Sequence, residues 1–349
     1  MSDMKTTSFQ KRDISMDIVR GICILFMIMG HIGFGSVFSK YIHAFHVPMF
    51  FAISGYFYKD GKLAQRIKTR FQSLIIPYIV FGFLHLLLYW TIEGVTFKEL
   101  VFGSDSMLFH LLVMNSLPLP IAGALWFLVA LFFCDLLFLF IHSFIKYEAL
   151  CHVSFTLLTF LGMFWTKLFF NRPPECIDIV LANLLVYDFG WYIGQHKRNN
   201  IVCRLLNLRP IETLSLFMIS ASLIMVSPTI NVKQGQFGNG IMYIINFILS
   251  FITYVNLSKW LLKSNFAGGR INGFLCYVGR NSMIYLCFNQ LMIKLFNMTL
   301  SAYGFSFNND LEKAGINFIN LLTTIALLTC LSTIFQRNRV LKGILGKKD

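Results

Sequence analysis

The sequence predicts an all-α fold, a polytopic integral membrane helical bundle of about ten transmembrane helices with both termini cytoplasmic. Three observations predict it. The 349-residue chain is 56% hydrophobic, carries 38 phenylalanines and has a mean hydropathy of +0.66, more apolar surface than a soluble core of this length can hide. Apolar segments near twenty residues long recur along it, the length at which a helix crosses a bilayer. Its Lys and Arg gather in alternate connections, the pattern of cytoplasmic loops.

Residues 1–13 read as a polar, basic cytoplasmic tail with Lys5, Lys11 and Arg12, followed by a membrane domain over 14–335. The first span runs from about Ile14 to Val37; it has no small-residue cleavage site and is read as a retained helix. The second, about Tyr41 to Tyr58, is expected to kink at Pro48 and leads into a basic loop with Lys59, Lys62, Arg66, Lys68 and Arg70. The third covers about Ser73 to Ile92. Between Glu93 and Pro120 the apolar piece Phe97 to Met114 reads as an interfacial helix rather than a span. Spans four and five cover Gly123 to Phe144 and about Ala149 to Phe170, and the turn Asn171-Arg172-Pro173-Pro174 leads to span six, about Ile177 to Gly194. A basic segment (Lys197, Arg198, Arg204, Arg209) precedes spans seven and eight, near 211–230 and 238–257, which flank the Gly-rich loop Lys233 to Gly238. After Lys259, Lys263, Arg270 and Arg280 come span nine, about Ser282 to Tyr303, and span ten, about Ile316 to Phe335. The basic tail 336–349 carries Arg337, Arg339, Lys342, Lys347 and Lys348. This count puts both termini and every strongly basic loop on one side, the cytoplasm.

The net charge of +14 does not point to nucleic acid, because the cations follow the loops rather than one face. The eight cysteines include no C-x-x-C pair, so neither a metal site nor a redox pair is indicated, and buried free thiols are expected. No G-x-S-x-G is present, so a hydrolase-type serine elbow is unsupported. No internal repeat is evident.

The stretch from Asp17 to Gly55 places Asp17, Arg20, His31, His43 and His46 in two hydrophobic segments. An ionisable residue at mid-membrane costs roughly 2.5–3.5 kcal/mol on insertion scales, so its default reading is functional. Arg20 and His31 return to within about 20° of the same helix face, about 16 Å apart along the axis. One wall therefore presents a cation near the cytoplasmic end and an imidazole in the outer half. Asp17 and Arg20 stand i,i+3 and can pair. From spacing alone, Asp17–Arg20 as a topology anchor and His31 as a helix–helix hydrogen bond stays open.

The motif Asp17-x-x-Arg20-Gly21, then Gly30-His31, then Phe45-His46-x-Pro48-x-Phe50-Phe51-x-x-Ser54-Gly55-Tyr56 resembles the acyltransferase family 3 of integral membrane acyltransferases, and its His before Val-Pro resembles the fucose 4-O-acetylase-like branch. Arg66 and Arg70 ahead of Pro77-Tyr78, Trp126-Phe127-Leu128, and Gly279-Arg280-Asn281-Ser282 are similar to later family motifs. The resemblance implies a ten-helix membrane domain in the cell membrane that O-acetylates a surface polysaccharide or its lipid-linked precursor, with acetyl-CoA as donor and no bound cofactor. Many members place a His where this chain has Asn289; an amide hydrogen-bonds a hydroxyl but carries no proton usefully near neutral pH.

Acyl transfer to a hydroxyl needs a base and stabilisation of the oxyanion. His31 is the expected base, on one catalytic wall with Arg20 and Asp17. Arg66 and Arg70 are expected to dock the phosphates of the acyl-CoA, which favour a planar, permanently charged guanidinium. His46 is expected to contact or relay to substrate, with a packing hydrogen bond as the alternative. Trp126 reads as an interfacial or packing residue or as a sugar platform. Asp135, Asn183 and Asp188 pair internally or contact substrate, His85 and His110 are read as structural, and Ser54 and Gly55 as permitting close helix approach. A transporter or flippase whose Arg–His wall lines a substrate path is the alternative function, and transfer of another acyl group such as succinyl is a milder one.

Overall fold

A long apolar helix satisfies its own backbone and buries one face on its neighbours, which is why a chain of this composition folds as a bundle. The computed structural model describes residues 13–59, 61–102, 106–114, 119, 123–169, 173, 176–264, 269–304 and 310–346. Residues 1–12 of the tail, most of the turn at 171–174, and Lys347 and Lys348 lie outside the described residues. Among the described residues the structure is helical, apart from turns and one isolated bridge, Asn231 to Gln236.

Among the described residues, eight helical segments are long and apolar enough to cross a membrane. They are α1 (Ile14–Ile32), the continuous run α4 (Leu63–Arg70) to α5 (Ile76–Glu93), α8 (Trp126–Phe144), α9 (Glu148–Phe169), the pair α10 (Ile177–Ala182) and α11 (Leu184–Gln195), α14 (Gly240–Ser264), α16 (Ser282–Ala302) and α17 (Asp310–Arg337). The other two expected spans are present in different form. The seventh is α13 (Pro210–Val226), 17 residues long. The second is no single helix but α2 (Ser36–His43) and α3 (His46–Tyr56). Instead of a kink at Pro48, the chain breaks at Phe45 (φ −145°, ψ −20°) and Pro48 falls in the first turn of α3. Its ring would clash with the carbonyl four residues back in an unbroken helix, while its missing N–H costs nothing in a first turn. Short helices complete the chain: α6 (Phe97–Val101), α7 (Met107–Leu112), α12 (Asn200–Leu205), α15 (Arg270–Arg280) and α18 (Arg339–Ile344). α6 and α7 are too short to cross a bilayer, as expected of that stretch.

Two further boundaries move. α1 is capped by Asp13, whose Oδ1 accepts the Ser15 N–H at 3.2 Å, and ends at Gly33, in the left-handed region at φ 96°, several residues before Val37. Arg66 and Arg70 stand on helix α4 rather than in a loop, with a π-turn over Phe71–Ile75 ahead of Pro77. Such a turn absorbs the hydrogen bond that a proline removes.

α1 is the central helix, touching α2, α3, α14, α15, α16 and α17. It meets α15 backbone to backbone: a side chain at Gly21 would collide with the Leu275 carbonyl, and one at Gly279 with that of Asp17. α3 lies as close to α11, where Gly55 and Gly190 face the carbonyls of Tyr187 and Ala52. Small residues at crossings let membrane helices approach this way, and both contacts fix the ends of the helices that carry the polar residues.

Candidate functional site

His31 is in the last turn of α1, at the end of the bundle away from the basic loops. It is exposed, yet the space it faces lies within the protein: a cavity of about 280 Å³ on one side and an open groove on the other. The cavity is built from five places in the chain. α1 gives Met27 and His31; the α2–α3 break gives His43, His46 and Phe50; the entry to α8 gives Gly123 and Trp126; and the Gly-rich loop folds back to add Asn231 and Lys233. Gln290 of α16 closes it.

The hydrogen bonds orient these rings. His46 Nδ1 is 2.7 Å from the Ile42 carbonyl and His43 Nδ1 2.7 Å from the Ser39 carbonyl. A carbonyl only accepts, so each Nδ1 carries a proton and each Nε2 is left to face other groups. The Gln290 amide is pinned because its Oε1 accepts the Gly123 N–H at 3.0 Å. Its Nε2 therefore turns toward His31 Nδ1, at 3.5 Å. The turn Asn231–Gln236 holds Lys233, and burial keeps its ammonium pKa below the usual lysine value, partly opposed by Cys176. A cation, three imidazoles, two amides and the rings of Phe50, Trp126 and Phe127 thus surround one small, partly open space. Among the described residues no group of three or more His, Cys, Asp or Glu is placed to hold a metal ion.

Other expected residues fall elsewhere. Asp17 is buried at the basic end, 3.9 Å from Arg20 Nη1 and 3.1 Å from Arg280 Nε. The Arg20 guanidinium also lies 5.1 Å from the centre of the Phe57 ring. Arg280, which the sequence reading left as a loop cation, is thus a second guanidinium on the same carboxylate. Arg66 and Arg70 converge on Asp135, in the middle of α8, at 3.6 and 2.8 Å. Tyr187 donates to the same carboxylate, and Arg66 stacks over Tyr58 at 3.8 Å. Asp188 pairs with His152 at 2.6 Å, and Asn183 holds the α10–α11 break by accepting from Tyr243 at 2.7 Å. His85 bonds its own helix at the Phe81 carbonyl. Asn289 is fully buried and its amide nitrogen returns to the carbonyls of Tyr285 and Leu286, so it does not line the cavity; its neighbour Gln290 does.

The comparisons with known proteins bear on this geometry. The family model described as "Acyltransferase domain" matches residues 13–336, nearly the whole chain. The chain belongs to this acyltransferase family. The match singles out no branch within the family. A weaker likeness is to the nodulation protein NolL of Mesorhizobium japonicum, 28% identical over 35% of this chain and 34% of the relative. The acyltransferase chain thus spans about a third of the length of that curated relative. No solved structure matches it.

The sequence reading of this acyltransferase missed Lys233, Asn231 and Gln290. A lone lysine among glycines in a loop otherwise poor in cations was the signal for Lys233. Gln290 stood one position beyond the residue that the resemblance marked.

Proposed function

We propose that this membrane acyltransferase moves an acetyl group from acetyl-CoA to a hydroxyl of a cell-surface polysaccharide or its lipid-linked precursor, with both termini in the cytoplasm. The observation that carries the reading is the partly open cavity at His31, of a size for one sugar ring and lined by His43, His46, Trp126, Lys233 and Gln290. Aromatic, amide and imidazole groups around a small space suit a hydroxyl-rich ligand.

In this reading the acceptor hydroxyl loses its proton to His31 as its oxygen attacks the thioester carbonyl carbon. Negative charge gathers on the carbonyl oxygen, and the Lys233 ammonium is the group available to meet it. The intermediate collapses with cleavage of the carbon–sulfur bond, and the departing thiolate takes the proton from His31. Arg66, Arg70 and Arg20, all toward the basic end, are assigned to the CoA phosphates. The length of α1 from Arg20 to His31, about 16 Å, is spanned by the pantetheine arm.

The test is release of CoA thiol by the purified full chain given acetyl-CoA and surface polysaccharide, with mass analysis of the glycan. Thiol release matched by acetylated glycan is expected. Its absence from a folded, membrane-inserted preparation removes the enzyme reading, since a transporter has no thioester chemistry. Succinyl-CoA in parallel tests the acyl group.

A further inference from the structure

Beside this cavity lies a second, more open space that the acetyl-transfer reading does not use. It is a groove of about 640 Å³ whose floor is α16. His31 and Gln290 line both spaces, so they form the wall between them. From Gln290 the groove follows Lys294, Asn297 and Ser301, spaced four, three and four residues apart along one face of α16. At about 1.5 Å per residue that stripe is about 16 Å long, several times the reach of one hydrogen bond. Polar residues in a membrane helix face an interior or a watery space rather than lipid, which is where this stripe points.

Its side chains are positioned by neighbours. Asn297 Oδ1 accepts from Asn320 of α17 at 3.1 Å. Lys294 pairs with Glu93 and lies 5.2 Å from the centre of the Tyr89 ring. Tyr89 in turn lines a further groove of about 670 Å³ with Thr96, Lys98, Glu99 and Ser106. The sequence of surfaces from His31 outward is therefore amide, ion pair, aromatic ring, then hydroxyls with the Lys98 ammonium and the Glu99 carboxylate. The ion pair leaves no net charge at its centre. Ile293 and Met298 add apolar surface between these groups; the alternation suits a neutral sugar chain, whose rings carry C–H faces as well as hydroxyl edges, and offers little to a lone anion.

We propose that this groove is an extended acceptor subsite that holds the sugars next to the one being acetylated, and that the acceptor is an oligosaccharide chain entering from the end opposite the basic loops. The inference rests on the acetyltransferase reading above and adds the length and entry side of the acceptor. Gln290 divides the reacting sugar in the cavity from the sugars in the groove.

The experiment uses the purified full chain in lipid nanodiscs, acetyl-CoA, and fragments of the cell's surface polysaccharide graded by length. With the unmodified protein, KM for the fragment falls as the fragment grows beyond one sugar, or only the longer fragments react; either result supports the groove. Ser301→Leu and Asn297→Leu fill the groove at exposed positions away from His31. Each raises KM for long fragments by about three- to tenfold per lost hydrogen bond, with kcat and the acetyl-CoA KM unchanged and any reaction of the one-sugar fragment unaffected. Equal KM for all lengths, or the same change in both variants for short and long fragments, overturns the groove while leaving the acetyltransferase reading intact. No transfer to any fragment by the unmodified protein overturns the reading beneath it, and the groove with it.

Discussion

Two of the polar clusters in the apolar bundle, around Asp135 and around His31, are built in opposite ways. Around Asp135, two guanidinium groups and the Tyr187 hydroxyl converge on one carboxylate, and side chain answers side chain. Around His31, the imidazoles and the Gln290 amide are tied largely to backbone, to the carbonyls of Ser39 and Ile42 and the N–H of Gly123, and an open volume remains between them. Backbone anchoring uses one polar atom of each group, and at His43 and His46 it leaves Nε2 for a ligand. Mutual pairing uses the charges on each other. The contrast separates polar groups that use each other as partners from polar groups that the main chain anchors beside a cavity.

The comparison breaks most sharply at His31. His31→Gln keeps a hydrogen-bonding side chain without a basic nitrogen and is expected to cost about 10²–10⁴-fold in acetylation rate at unchanged membrane abundance. A Gln variant of normal abundance and near-normal rate returns His31 to packing and leaves His46 as the next base. Asp135→Ala is expected to do the reverse. Removing one partner of a buried charge network costs about 3–5 kcal/mol, so abundance and thermal midpoint fall while kcat per folded molecule holds. A rate loss without destabilisation makes that cluster part of the chemistry.

Arg66→Gln and Arg70→Gln sharpen the contrast, since the proposed donor docking asks these residues to serve both purposes. The expected result is a severalfold higher acetyl-CoA KM with kcat little changed, the signature of lost ground-state binding. Lower abundance with KM unchanged confines both arginines to the Asp135 cluster. The smallest effect lies outside both clusters, at the cap of α1. Burial raises the Asp13 pKa, but hydrogen bonds from Ser15 and Tyr56 and the charges of Lys197 and Lys259 outweigh it and hold it below its ordinary 3.8. A carboxyl depressed on folding contributes stability above its unfolded pKa, and that contribution is lost as pH falls through the folded value. Thermal midpoints of solubilised protein between pH 3 and 7 are expected to drop at the acid end, and Asp13→Asn to flatten that drop. An unchanged profile in Asp13→Asn assigns the acid sensitivity to other carboxylates.

What the sequence determined by itself was the membrane bundle, the long helices and the family, because hydrophobic length, loop charge and a local motif are properties of consecutive residues. It also placed His31, His46 and Trp126, which do meet in one cavity. The tertiary structure decided the rest. Pro48 marks a disturbance in its span, but that the chain breaks at Phe45 and starts a new helix there is visible only in the structure. Whether Arg66 and Arg70 find solvent or Asp135 depends on α8, more than sixty residues away in sequence. Lys233 and Gln290 come to His31 from loops and helices far along the chain, and no local pattern marks a distant contact. Asn289 and Gln290 differ by one position, yet about 100° of helix rotation sends one into its own backbone and the other into the cavity. The phase of that rotation was set by the packing of α16 against α1 and α17.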